Sequence, residues 1–186
     1  MKMIHMECPN HPEATLEGYI LDCEITLGQE KKRPAIIVCP GGGYVYCSPR
    51  EGEPIALGYA AKGYHAFILR YSTGWDAAGF SPLEEISWAV GYIREHAEEW
   101  NIDPDKILSC GFSAGGHLAL SLGVFWNAPW LAERCGEERR KDADRQRVGI
   151  AAADIAEDGA HGHDAFHAQV QAAGLFHNDL AHSAVQ

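Results

Sequence analysis

The sequence predicts an α/β domain, a mostly parallel sheet with helices on both faces. Three observations carry this. First, three short continuous apolar runs have the length and composition of strands buried on both sides: Ala35-Ile36-Ile37-Val38-Cys39, Ala66-Phe67-Ile68-Leu69-Arg70-Tyr71 and Lys106-Ile107-Leu108-Ser109-Cys110-Gly111. Second, segments of helical pattern separate them, and that alternation demands right-handed crossovers between parallel strands. Third, the first and last runs end in glycine-rich turns, Pro40-Gly41-Gly42-Gly43-Tyr44 and Gly111-Phe112-Ser113-Ala114-Gly115. Both turns fall at carboxyl ends of strands, where ligands bind in such sheets.

The elements follow in order. Residues 17–26 are rich in aromatic and β-branched side chains and read as an edge strand or hairpin, broken by Lys31-Lys32-Arg33-Pro34. A helix is expected from Pro54 to Lys62, stopped by Gly63. A loop spans Ser72 to Phe80. Ser81-Pro82-Leu83-Glu84 reads as a helix start, with Ser81 at the N-cap, Pro82 at N1 and Glu84 at N3. Leu83, Ile86, Val90, Ile93 and Ala97 then recur every three or four residues, one apolar helix face, and Asp103-Pro104 punctuates its end. A further helix begins just after Ser113, with Leu118, Leu120 and Leu122 among its apolar residues. Residues 136–147 are charge-dense, and Val148 to Ala153 reads as a weak fourth strand.

Composition narrows the function classes. The 186 residues make one domain, 1–186, and 46% hydrophobic content is enough to fill a core. The formal net charge of −11 argues against nucleic acid and anionic membranes as partners, since both call for a basic face. No run approaches the length of a membrane span, and Met1-Lys2-Met3-Ile4-His5 leads into no apolar signal segment, so a cytoplasmic location is expected. Six cysteines are present without a C-x-x-C pair; Cys39 and Cys110 sit in the strand runs and read as small buried hydrophobes.

Gly111-Phe112-Ser113-Ala114-Gly115 matches G-x-S-x-G, and here it follows a strand run and precedes a helical pattern, the context that gives the motif meaning. A turn that sharp strains the serine backbone and lifts its hydroxyl above the sheet. Residues two before and two after approach too closely for side chains, hence Gly111 and Gly115. Ser113 is the expected nucleophile. Acyl transfer also needs backbone N–H groups facing the developing oxyanion. Ala114, directly after the nucleophile, is one expected donor; the glycine turn after the first strand run supplies the other. Tyr44, beside those glycines, is placed at the substrate.

Four segments in this order, Arg33 to Tyr44, Phe67 to Ser72, Asn101 to Ile107 and Cys110 to Ala119, resemble the α/β-hydrolase esterase/lipase family of acetyl-xylan-esterase and carboxylesterase type. The resemblance covers residues 12–135. It implies that Gly41 and Gly42 form the oxyanion hole with Ala114, that the substrate is a small ester such as an acetylated sugar or xylan fragment, and that no cofactor takes part.

The resemblance weakens over residues 136–186. In the family the nucleophile is followed by an acid and then a histidine, each after a further strand. On that pattern the chain looks like the N-terminal two-thirds of a hydrolase domain. Two readings stand: a catalytically incomplete remnant lacking the triad acid and base, or a tail that supplies them itself, Asp154 with His161 or His163, followed by His167, His177 and His182. His163 and His167 are spaced for one helix face, but no recognised ligand pattern accompanies them, and no metal is expected. His117, four residues past Ser113, is expected to pack or hydrogen-bond rather than to act as base.

A parallel sheet stopped after its fourth or fifth central strand leaves an edge open. A marginal fold, or one that self-associates through that edge, is therefore expected. Size-exclusion chromatography over a concentration series should show a concentration-dependent shift to larger species; a stable monomer at every concentration refutes it.

Overall fold

The structure, a computed structural model, describes residues 1–22, 32–135 and, as backbone, 149–152. Among the described residues, six strands form one sheet: β1 (Lys2–Cys8), β2 (His11–Ile20), β3 (Arg33–Cys39), β4 (His65–Arg70), β5 (Ile102–Gly111) and β6 (Gly149–Ala152). Four α-helices among them accompany the sheet: α1 (Glu53–Ala60), α2 (Ser81–Glu95), α3 (Ala114–Phe125) and α4 (Pro129–Cys135). The spatial order is β1-β2-β4-β3-β5-β6. β4, β3, β5 and β6 run parallel, and the β1–β2 hairpin is added antiparallel at one side. The predicted α/β class holds, with the weak fourth strand run forming β6.

β3 is the axis of the sheet, and its side chains alternate between two cores. Ala35, Ile37 and Cys39 face α2 and α3, packing with Phe67, Leu69, Ile86, Val90, Leu118 and Leu122. Ile36 and Val38 face α1, packing with Ala56, Tyr59, Ile68 and Cys110. Every residue from Ala35 to Cys39 is fully buried. A strand covered on both sides must be apolar at odd and even positions alike, which is why it reads as an unbroken run. Each large aliphatic side chain buried there contributes about 1.5–3 kcal/mol.

Three local expectations are corrected. Of residues 17–26, Glu17 to Ile20 are strand as expected but end the interior strand β2, which lies between β4 and β1 and pairs with β1 across the turn at Pro9-Asn10; residues 23–26 lie outside the described residues. The inward residues of β1, Ile4, Met6 and Cys8, alternate with exposed Met3, His5 and Glu7, a period-two pattern short enough to escape notice. Ser81 is the first helical residue, not the N-cap. Phe80 holds the cap position in the left-handed region at φ 74°, and the Ser81 hydroxyl donates to the Ala78 carbonyl across a kink at Ala78-Gly79. β5 starts at Ile102, before Asp103-Pro104. Ile102 pairs with Arg33, residues 103–106 bulge outward, and pairing resumes at Ile107 with Ala35. Pro104 has no N–H to give the ladder, so the chain accommodates it in the bulge.

The loop after β4 is held by a buried acid. Glu85, fully buried on α2, accepts hydrogen bonds from the backbone N–H and the hydroxyl of Ser72. His11 lies 3.7 Å from the same carboxylate and 3.2 Å from Glu84, so the β1–β2 turn joins this network. Burial pushes the Glu85 carboxyl above its ordinary value, against the Ser72 hydrogen bonds and the nearby His11, which pull it down. The folded state then keeps its proton to higher pH than the unfolded chain. Its contribution is complete below the unfolded pKa and is lost as pH rises through the folded one. Glu85→Gln keeps the shape and never ionises. Relative to wild type, its melting temperature should rise as pH goes from about 4.5 toward 7. Thermal melts across that range check this, and parallel profiles for the two proteins refute it.

Candidate active site

The site is assembled where β3 and β5 end side by side. Cys39 and Gly111 are register partners, so both glycine turns leave the sheet at one level. The Phe112 N–H donates to the Cys39 carbonyl at 3.1 Å, tying the start of the second turn to the end of β3. The chain then reverses into α3. The Gly115 N–H donates to the Phe112 carbonyl at 2.8 Å, and the His117 N–H donates to the Ser113 carbonyl at 2.9 Å.

Ser113 sits at the N-cap of α3 with φ 47° and ψ −115°, outside the regions that L-residues favour. Its side chain is exposed, while Ala114, Gly115 and Gly116 behind it are buried. The flanking glycines are obligatory for space. A Cβ on Gly111 would lie 2.2 Å from the Gly115 carbonyl oxygen, and one on Gly115 would lie 2.0 Å from the Cys39 carbonyl oxygen. The positive end of the α3 dipole lies at the serine, where it favours a developing anion.

The turn after β3 is fixed from several sides. The Tyr71 hydroxyl donates to the Pro40 carbonyl at 2.5 Å, and the Gly41 N–H donates to Glu51 Oε2 at 2.8 Å. The Gly41 carbonyl accepts from Ser48 N–H at 2.8 Å, and the Gly42 carbonyl accepts from Val45 N–H at 3.0 Å. Gly42 has φ 135°, and a Cβ there would lie 2.0 Å from the Tyr46 carbonyl oxygen. Tyr44, also at positive φ, hydrogen-bonds His117 Nδ1 through its hydroxyl at 2.8 Å, and its carbonyl accepts from Gly74 N–H at 2.7 Å. Burial pushes the Tyr44 phenol up to about 12, so it is a neutral hydroxyl at physiological pH.

The residues singled out in the sequence fare differently. Ser113, Ala114, Gly42 and Tyr44 come to the paired strand ends. His117 takes Tyr44 as its partner. Gly41 reaches the same place, but its expected donor role is corrected: its N–H is committed to the Glu51 carboxylate. Among the described residues, the amides of Gly42, Gly43 and Ala114 make no hydrogen bond. Asp154, His161, His163, His167, His177 and His182 lie outside the described residues. Cys39 and Cys110 are fully buried, and burial holds the Cys110 thiol up at about 12, which makes both inert packing groups. Glu51 lies in none of the motifs read from the sequence. Tyr71 lies in the Phe67 to Ser72 segment and at the end of the second strand run, but neither signal gives it a role at this turn.

With this geometry in hand, comparison with known proteins places the chain. The BD-FAE family model matches residues 21–155. The chain belongs to the BD-FAE family. An α/β hydrolase enzyme from a Medee basin deep-sea metagenome library is 46% identical with a TM-score of 0.63, over 66% of this chain and 50% of that one. Endo-1,4-beta-xylanase B of Butyrivibrio fibrisolvens is 42% identical over 99 residues, 52% of this chain and 16% of the xylanase. An acetylxylan esterase of Xylanibacter ruminicola is 33% identical over 86 residues, 46% of this chain and 18% of the esterase. This BD-FAE chain thus spans half the length of the structural relative and under a fifth of either curated one. The fold is that of the α/β hydrolases. Among the described residues no helix of the BD-FAE chain is long and apolar enough to cross a membrane.

The elbow stores strain that only Ser113 can relieve. Ser113→Gly removes the Cβ penalty at positive φ and should stabilise the fold by about 1 kcal/mol. Gly115→Ala should destabilise it by roughly 3 kcal/mol or more, since a methyl group has no room. Urea melts of the two variants check both signs.

Proposed function

We propose that the chain is a serine hydrolase acting on carboxylic esters through an acyl-enzyme. The observation that carries this is Ser113: exposed, strained at φ 47°, capping α3, and seated beside a glycine turn at the neighbouring strand end whose Gly42 and Gly43 amides make no hydrogen bond among the described residues. Its Oγ attacks the ester carbonyl, and the alcohol leaves as the acyl-enzyme forms; water then releases the acid. The oxyanion is held by the amides of Gly42 and Ala114, with Gly43 next to them. Tyr44 borders the acyl site. The proton passes to a histidine, for which Asp154 with His161 or His163 are the candidates in the chain order this fold uses. Relatives named as xylanase and acetylxylan esterase support an acetylated sugar or xylan fragment as the ester, with a small acyl group. The chemistry calls for no cofactor.

A second reading, a catalytically incomplete remnant, is favoured by one observation. Among the described residues no histidine side chain hydrogen-bonds the Ser113 hydroxyl.

An organophosphonate probe with mass-spectrometric mapping decides the matter. The esterase reading expects a single adduct on Ser113 and p-nitrophenyl acetate turnover that falls to the uncatalysed rate in Ser113→Ala. A folded protein without label on Ser113 overturns it. Labelling without turnover supports the remnant.

A further inference from the structure

Glu51 is not part of either glycine motif, yet its carboxylate reaches into the oxyanion turn. The peptide joining Pro40 and Gly41 is bonded at both ends: its carbonyl accepts from the Tyr71 hydroxyl at 2.5 Å, and its N–H donates to Glu51 Oε2 at 2.8 Å. A peptide unit is planar, so two bonds on opposite sides fix its rotation about the chain. The carboxylate is itself held by a closed ring of backbone bonds. The Gly41 carbonyl accepts from Ser48 N–H at 2.8 Å, and the Ser48 carbonyl accepts from Glu51 N–H at 3.2 Å, with Ser48 buried. Space is as tight as the bonding. A Cβ on Gly41 would lie 2.8 Å from Glu51 Oε2 and 2.7 Å from the Phe112 carbonyl oxygen, so carboxylate, turn and nucleophile elbow meet within the volume of one methyl group.

We propose that Glu51 is the positioning residue of the oxyanion turn: with Tyr71 it clamps the Pro40–Gly41 peptide, consuming the Gly41 amide and leaving the next amides, Gly42 and Gly43, to meet the substrate oxygen. The catalytic consequence rests on the serine-esterase reading; the clamp itself does not. A charge-assisted bond to a backbone amide is stronger than a neutral one, and a glycine triplet has no side chains of its own to hold a conformation. Without the carboxylate, the peptide is free to rotate and the donors lose their aim. Glu51 touches no reacting atom in this scheme and acts only through the turn.

The test compares E51A, E51Q and Y71F in the full chain with two readouts. Hydrogen exchange followed by mass spectrometry on the peptide covering residues 40–47 reads the clamp. E51A should exchange at least tenfold faster there than wild type while segments in β3 and β5 stay protected, and E51Q, which keeps an acceptor oxygen, should fall close to wild type. Turnover of p-nitrophenyl acetate reads the consequence. E51A should lose roughly tenfold to a hundredfold in kcat with KM little changed, the pattern of a misaimed transition-state donor, and E51Q should recover most of it. Y71F, which cuts the opposite bond, should move both readouts in the same direction. Unchanged exchange over residues 40–47 in E51A overturns the proposal, as does an E51Q that behaves like E51A. If wild-type Ser113 takes no phosphonate, the esterase reading fails by itself, and the exchange experiment still decides the clamp. If E51A does not fold, the pair E51Q and Y71F decides it: slow exchange in the first and fast in the second supports the clamp, and equal exchange overturns it.

Discussion

Backbone meets backbone at the centre of this fold without side chains between. The Cys39 carbonyl oxygen, at the end of β3, lies where a Cβ on Gly115 would be, and the Gly115 carbonyl fills the corresponding place at Gly111. That contact brings the first turn of α3 against two strand ends at once. It fixes how α3 lies on the sheet, and with it Leu118 and Leu122 in the larger core. It also leaves Ser113 nowhere to relax. The serine is lifted over a turn whose neighbours cannot move apart without opening the core, so the cost of its backbone conformation is carried by packing elsewhere.

The turn after β3 depends on the same contact from the other side. Cys39 accepts from Phe112 while its own oxygen abuts Gly115. The turn that follows therefore starts from a fixed point. Its remaining freedom is removed by groups from four different segments: Tyr71 after β4, Glu51 and Ser48 on the following loop, Gly74 on the next loop, and His117 on α3 through Tyr44. Tyr44 is the joint between the two halves of the site, since its hydroxyl reaches His117 on α3 while its backbone belongs to the glycine turn. A neutral phenol serves that purpose without adding charge to the site.

The parts that were legible in the sequence are those whose physics is local. Strands buried on both faces must be apolar throughout, so β3 and β4 stand out; the elbow must have small residues at fixed offsets, so Ser113 does too. β1 was missed because only Ile4, Met6 and Cys8 face inward, too short an alternation to register. The start of α2 was misread because Ser81 had two possible hydrogen-bond partners, and the kink at Ala78-Gly79, a tertiary feature, chose the carbonyl. Glu51 was invisible for a related reason. Its role depends on a loop that folds back ten residues to meet Gly41, and nothing in Ser48-Pro49-Arg50-Glu51 announces that return. The same blindness assigned the Gly41 amide to the substrate: the motif marks the turn but not which of its amides is already spoken for.

The alternation along β3 has a consequence for how such a chain can evolve. Ile36 and Val38 belong to one core, Ala35, Ile37 and Cys39 to the other, and the glycine turn follows without a spacer. Inserting or deleting a single residue within β3 would exchange the two sets of side chains and turn the Pro40–Gly41 peptide to face the other way. Packing and chemistry would fail together, with no intermediate sequence that preserves either. Length variation is thus shut out of this strand and its turn. A change of length is accommodated only away from β3, its turn and the loops that pin it, so the distance from Ala35 to Gly42 is a fixed dimension of this fold.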